Sequence, residues 1–360
     1  MPNKSFNASL PMLGTRTGFL ALAISITILA SYWFGPSRTF LPVLTTVLSR
    51  SWPLIPLALA ASLVISSGDI DLSPAGAFSF LGMLVLWLNN HNLPVFAIFL
   101  ITFAISIAVG LVHGTFIGFF KAPPLIMTLG TSFFMTGIAI LIYTTLLSNL
   151  EPTKALPSKP QAHESNTALI SATPTASTGI ASYWPAPTST YTANTLPERQ
   201  RVGIFSVSYP WTIAIIIILV YWKQYTLIGL KHMAVGSSRE GAILAGLDVR
   251  RIRATSFFLA SLLTFLSAML YLIDYNGGGW SAGTGGGLEL TGIAAAVIGG
   301  TSVSGGRFEP VNVALAMILW VALHQLSIAL PFVGPTTQMI AIGILLILVA
   351  NLDRSKEVLP

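Results

Sequence analysis

The sequence predicts an all-α protein, a polytopic transmembrane helical bundle of about ten passages, with one broken or re-entrant helix and both termini cytoplasmic (N-in and C-in). Three observations carry this. Of 360 residues, 53% are hydrophobic and only 8% are charged, against ~25% charged in soluble domains. The mean hydropathy is +0.77, more apolar surface than a soluble fold can hide. The apolar runs are helix-length, unlike the roughly ten-residue alternating segments of a transmembrane barrel. Finally, Lys and Arg fall unevenly among the loops, which is how a chain encodes its orientation in a membrane.

The passages follow in chain order. Residues 17–34 form the first, with Tyr32, Trp33 and Phe34 as interface anchors. Lys4 and Arg16 precede it as in a signal peptide, but no small-residue cleavage pattern follows, so it reads as a retained span. Residues 52–66 form the second, with Pro53 and Pro56 near its start, where proline is best tolerated. Residues 74–88, 94–119 and 125–147 are the third to fifth. The fourth carries Gly110, Gly114 and Gly118, four apart, which invites a close neighbouring helix. Residues 150–203, rich in Pro, Thr, Ser and Ala and without periodicity, read as a flexible extracytoplasmic loop. Residues 209–222 and 255–273 follow. Asp274 to Gly300 counts as one broken passage: a glycine-rich stretch, then an apolar run too short to span alone. Residues 311–330 and 333–349 complete a single membrane domain covering 1–360.

With the N-terminus inside, Lys4, Arg16, Lys121, Lys223, Lys231, Arg239, Arg250, Arg251, Arg253, Arg307, Arg354 and Lys356 are cytoplasmic. Of the 18 basic residues this leaves Arg38, Arg50, Lys154, Lys159, Arg199 and Arg201 outside, four of them in or beside the long loop. The short-loop bias therefore supports this orientation. The net charge of +6 is a topology signal and does not argue for nucleic acid.

The chemistry of sites is mostly excluded. The chain has no Cys, hence no disulfide and no thiolate. No nucleophile–base pattern, HExxH or clustered metal-ligand spacing is present, so no catalytic, metal or cofactor residue is assigned. The phosphate-loop pattern GxxxxGK[ST] is absent too, so the chain should not hydrolyse ATP itself. His113 and His324 are lone histidines in apolar helices, where a structural hydrogen bond is the simpler role; His91, His163 and His232 fall in loops. Asp69 and Asp71 sit at a helix break beside the membrane, as a functional pair or as groups facing water beyond it. Glu289 opens the short run of the broken passage, as a polar contact or an interfacial group.

One stretch stands out for charge. Residues 231–253 contain Arg239, Glu240, Asp248, Arg250, Arg251 and Arg253 between apolar segments. Ser237-Ser238-Arg239-Glu240 has the capping-box form and starts a short helix to about Leu244. Gly246 ends it, and Ile243, Leu244 and Leu247 give it an apolar side. This is a cytoplasmic docking helix or a loop with ordinary positive-inside charges.

Four segments resemble the permease subunits of bacterial ABC importers for monosaccharides, the ribose-type branch, related more distantly to branched-chain amino acid permeases. Gly68-Asp69-Ile70-Asp71-Leu72-Ser73 resembles that family's GGIDLSVG, with Asp69 in place of the second glycine. The stretch LIMTLGTSFFMTG, with Thr128, Gly130 and Thr131, is similar to its TLGT segment. Residues 234–249 resemble its coupling stretch, with Ser238 where Asn is usual. LELTGIAAAVIGGTSVSGG, with Gly299, Gly300, Thr301, Ser302, Gly305 and Gly306, resembles its IAAvVIGGtS segment. The resemblance implies two permease subunits, identical or homologous, two cytoplasmic ABC ATPase subunits and an extracytoplasmic solute-binding protein. It implies ATPase coupling through the 237–247 helix and a path lined near the broken helix. It also implies import of a pentose, hexose or furanose by alternating access across the bacterial inner membrane. An ion-coupled secondary transporter is the alternative, and would need inverted repeats and a deep acidic or unwound site. A non-transport membrane scaffold is a further one.

Overall fold

The computed structural model describes residues 16–35, 39–148, 208–275 and 283–330, and Gly343. The 150–203 loop and the 333–349 span lie outside the described residues. Among the described residues, six helices are long and apolar enough to cross a membrane, or seven if one bent pair counts as a span. The expectation of ten passages is corrected to six or seven, and the count no longer fixes both termini on one side.

The shortfall has physical causes. At 1.5 Å per residue, the 17 residues of α4, Pro74–Asn90, reach about 25 Å, less than a hydrocarbon core of roughly 30 Å. The 11 residues of α11, Leu288–Ile298, reach about half of it. The bent pair is α7, Ser208–Tyr225, and α8, Leu227–Ser237, which meet at 76°. The sharp break thus falls between residues 225 and 227. Thr226 caps α8 there, its hydroxyl accepting from the Gly229 N–H at 3.1 Å.

The bundle is built around α3, Ile55–Ser66, every residue of which is buried. It is apolar all round and so has to be central. A 3₁₀ turn, Trp52–Leu54, joins it to α2, Phe40–Ser51. Pro56 has no N–H for the Trp52 carbonyl; Thr212 of α7 donates to that oxygen instead, at 3.1 Å. The Ser267 hydroxyl likewise donates to the Pro53 carbonyl at 2.6 Å. Around α3 pack α10, Val249–Tyr275, α11, and α12, Pro310–Ala329, and α1, Arg16–Phe34, lies against α12. Leu59, Leu63, Phe257, Ile298, Phe308 and Met317 share one buried apolar cluster. A second, with Phe78, Leu81, Leu86, Ala139 and Phe265, lies among α4, α5 (Val95–His113), α6 (Pro124–Ser148) and α10.

The glycine ladder works as its spacing suggests. Helix α5, Val95–His113, runs on into a π-wound turn, Gly114–Phe119. A Cβ at Gly110 would come within 3.1 Å of Phe258, at Gly114 within 2.9 Å of the Ala254 carbonyl, and at Gly118 within 2.7 Å of the Arg250 carbonyl. Residues four apart on α5 thus face residues four apart on α10 at backbone contact distance. Ser106 and Ser261 lock the same pair by exchanging hydroxyl–carbonyl hydrogen bonds of 2.9 and 2.7 Å.

Candidate functional site

All four distinctive segments bear on one end of the bundle. The C-terminal end of α3 meets the last residues of α8 and the loop after α11. The Gly306 N–H donates to the Ser66 carbonyl at 2.8 Å. Gly236 is wedged between them: a Cβ there would overlap the Ser66 oxygen and lie 2.6 Å from Gly306 N. The loop turns through Gly300, Gly305 and Gly306, whose φ values of 100°, 91° and 80° suit glycine. Thr301 is buried and its hydroxyl bonds that of Ser62 on α3. Gly299 abuts α12 at Val313. Ser302 bonds Ser304 at the exposed tip. Arg307 donates to the Gly300 carbonyl at 2.8 Å, and Arg16 lies against Gly300.

Helix α9, Arg239–Leu244, is the short helix expected in the charged stretch. Its cap is Ser238, whose hydroxyl accepts from the Gly241 N–H at 3.0 Å. Ser237 instead donates back to the Met233 carbonyl at the end of α8. Gly246, at φ 74°, follows the helix, and the Leu247 N–H returns to the Ala242 carbonyl at 2.9 Å. Ala242 is buried, while Ile243 and Leu244 are 62% and 90% exposed. Glu240 is exposed and Leu247 half-buried.

Asp69 ties this helix to the bundle. Its backbone belongs to the C-cap of α3: the Asp69 N–H bonds the Val64 carbonyl and the Gly68 N–H bonds the Ile65 carbonyl, with Gly68 at φ 81°. Its carboxylate, 3% exposed, receives Arg253 of α10 as a fork, Nε to Oδ2 at 2.7 Å and Nη2 to Oδ1 at 3.0 Å. Arg239 of α9 adds Nη2 to Oδ1 at 2.7 Å and to the Gly68 carbonyl at 2.8 Å. Lys223 pairs with Glu309 at 2.7 Å at the same end. A cavity of about 390 Å³ lies beside α9, with Lys121, Ile243, Leu247, Arg250 and Arg253 in its wall.

Asp71 plays a different part. It accepts from the Ser73 N–H at 2.8 Å at the start of α4. Thr128 accepts from the Leu72 N–H at 3.1 Å, and Ser132 from the Gly76 N–H at 3.1 Å. The Asp71 and TLGT segments therefore fasten the first turn of α4 to α6, satisfying donors that a helix start leaves open. The Thr131 hydroxyl donates to Met127, so His113 Nε2, 3.0 Å away, is the donor between them. Gly130 is exposed with open space around it. Glu289 lies apart from these contacts, in the first turn of α11. Among the described residues, Glu289 Oε2, Asp274 Oδ2, Trp52 Nε1 and Tyr143 Oη are buried without a hydrogen-bond partner.

Two groups escaped the sequence reading. Arg253 stood out only as one charge among several, and nothing local points it to a carboxylate 184 positions away. His232, expected in a loop, is 2% exposed in α8. Its Nε2 lies 3.1 Å from the Leu63 carbonyl, which only accepts, so Nε2 carries the proton. Its Nδ1 lies 3.1 Å from the hydroxyl of Ser256 on α10, which also bonds the Ile252 carbonyl at 2.9 Å, and Trp222 of α7 packs edge-on against the ring.

The sequence is matched by known proteins. The family described as branched-chain amino acid transport system / permease component matches residues 43–350. The chain belongs to that permease family. It is a transport subunit of the ABC importer type, not an enzyme, and a multi-pass protein of the inner membrane. Importers of this type also contain ATPase and solute-binding components. The chain is 26% identical over 309 residues to the fructose import permease protein FruG of Bifidobacterium longum, covering 85% of this chain and 80% of that protein. It is 24% identical over 314 residues to the xylose/arabinose import permease protein XylH of Sulfolobus acidocaldarius, 84% and 75% covered. To the ribose import permease protein RbsC of Bacillus subtilis it is 29% identical over 156 residues, 43% and 47% covered. No solved structure matches it.

Proposed function

We propose that this permease imports a monosaccharide, a pentose, hexose or furanose, by alternating access. Its sugar-named relatives support that substrate class. The observation that carries the mechanism is α9: a six-residue helix at the basic end, capped, anchored to α3 and α10, and presenting Ile243 and Leu244 to solvent. Exposed apolar side chains rimmed by charges make a docking surface. Its occupant is a cytoplasmic ABC ATPase subunit. Ser237 and Ser238 end α8 and cap α9, Glu240 faces the partner, and Gly246 and Leu247 return the chain to α10.

The cytoplasmic side is the end that gathers Arg16, Lys121, Lys223, Arg239, Arg250, Arg253 and Arg307. A second permease copy, identical or homologous, completes the pathway, and a solute-binding protein delivers sugar at the other end. ATP binding draws the ATPases together and displaces α9. The glycine junction at Gly236, Gly305 and Gly306 passes the displacement to α3 and α11, and the Asp71–Thr128 contacts hold α4 to α6 as it moves. The path runs past Glu289, whose Oε2 is buried without a hydrogen-bond partner and would take a sugar hydroxyl as the path opens. No bond of the solute is made or broken. The test is purification from membranes in mild detergent followed by mass spectrometry. An ATPase subunit is expected with the wild-type chain and lost from Leu244→Asp. A chain that purifies without any ATPase would overturn the reading.

A further inference from the structure

We propose that Asp69 is the joint that makes the docking helix α9 and the α3–α4 turn move as one body; this rests on the reading of α9 as the ATPase contact. The carboxylate is buried and belongs to the segment that caps the central helix, so it cannot shift without α3. It is held by side chains from two other elements at once, Arg239 from α9 and Arg253 from α10. The two arms differ. Arg253 is 12% exposed and bidentate, a permanent tie. Arg239 is 42% exposed and its guanidinium also caps the Gly68 carbonyl, so it links a solvent-facing helix to the core. Two residues beyond Asp69, Asp71 accepts from the Ser73 N–H at the first turn of α4. A push on α9 thus reaches α4 through Asp69 with no intervening flexible segment: α9 to Arg239, Arg239 to Asp69, Asp69 to the 69–73 turn.

Neutralising Asp69 leaves two arginines with no anion between them, so α9 should come loose from the turn while its apolar face stays intact. The chain has no Cys, so cysteine pairs report cleanly. Ala245→Cys, directly after α9, and Asn90→Cys at the far end of α4, both exposed, carry spin labels in the full importer complex. Electron-electron distances are read without nucleotide and with ATP plus vanadate. In the otherwise unchanged protein the distance should be narrow and the same in both states. In Asp69→Asn it should broaden and shift with nucleotide, with ATP hydrolysis retained. Arg239→Gln, which removes only the half-exposed arm, should give the same loosening if Asp69→Asn does not assemble. A distance that shifts with nucleotide when Asp69 is present, or that stays narrow and fixed in the variants, overturns the joint alone. Failure of any ATPase to co-purify overturns the reading of α9, and the joint with it.

Discussion

Gly236→Ala adds one methyl group where the structure leaves no room for it. The new Cβ would overlap the Ser66 carbonyl oxygen and stand 2.6 Å from Gly306 N, and both atoms are backbone, so neither can swing aside. Relief requires the Cβ to push Ser66 and Gly306 apart, which breaks the hydrogen bond of 2.8 Å between them. Overpacking of a filled site costs about 1–3 kcal/mol. Unpairing a buried donor and acceptor costs about 1–3 kcal/mol more. Alanine returns about 1 kcal/mol of helix propensity. The net is destabilisation by about 1–5 kcal/mol. Gly130→Ala is the internal control: the same methyl on a helix, with nothing within 4 Å, and only the propensity gain remains. Thermal unfolding of both variants in detergent micelles, followed by size-exclusion chromatography, should show a lowered midpoint for Gly236→Ala and an unchanged or raised one for Gly130→Ala. Equal midpoints for the two would refute the close three-way packing of Gly236, Ser66 and Gly306.

Other outcomes follow from the same geometry. Leu244→Asp changes a side chain that is 90% exposed, so stability should move by no more than about 0.5 kcal/mol while the ATPase is lost on co-purification. His232→Leu removes a ring that bridges α3 and α10, while the Leu63 carbonyl keeps the Ser66 hydroxyl and Ser256 keeps the Ile252 carbonyl; it should lower the melting midpoint by the equivalent of about 1–3 kcal/mol. Thr128→Val keeps the shape of the side chain but leaves the Leu72 N–H unbonded, costing about 1–3 kcal/mol. Hydrogen exchange should then quicken at the start of α4 before anywhere else.

Much of the α9 region was legible in the sequence because it depends on local signals. A Ser before a charged turn, Gly246 after it, and an apolar side made of Ile243 and Leu244 specify a capped amphipathic helix without knowledge of the rest of the chain. The Gly110–Gly114–Gly118 ladder was legible for the same reason, since helical periodicity puts those positions on one face. What depends on distant residues was not. Asp69 reads equally well as a solvated group until Arg239 and Arg253 arrive from other helices. Arg239, one charge among several in the sequence, bonds Asp69 and the Gly68 carbonyl. His232 looks like a loop residue because the 76° bend after α7 hides a second helix behind polar Lys223, Gln224 and Tyr225. The passage count failed because hydropathy measures apolar composition and not length. Helix α4 and α11 are apolar, yet are shorter than a bilayer core, and their burial in the bundle accounts for their composition as well as lipid would.

The central claim, a monosaccharide carried inward under ATP, is tested most directly by uptake. Cells lacking this chain and cells with it restored are given radiolabelled fructose, ribose, xylose, arabinose and galactose in turn, with and without depletion of ATP. The account predicts that uptake of at least one of these sugars is lost without the chain, returns with it, and stops when ATP is depleted while the ion gradients are clamped. Uptake of every sugar unaffected by the chain, or driven by an ion gradient after ATP is gone, would contradict it.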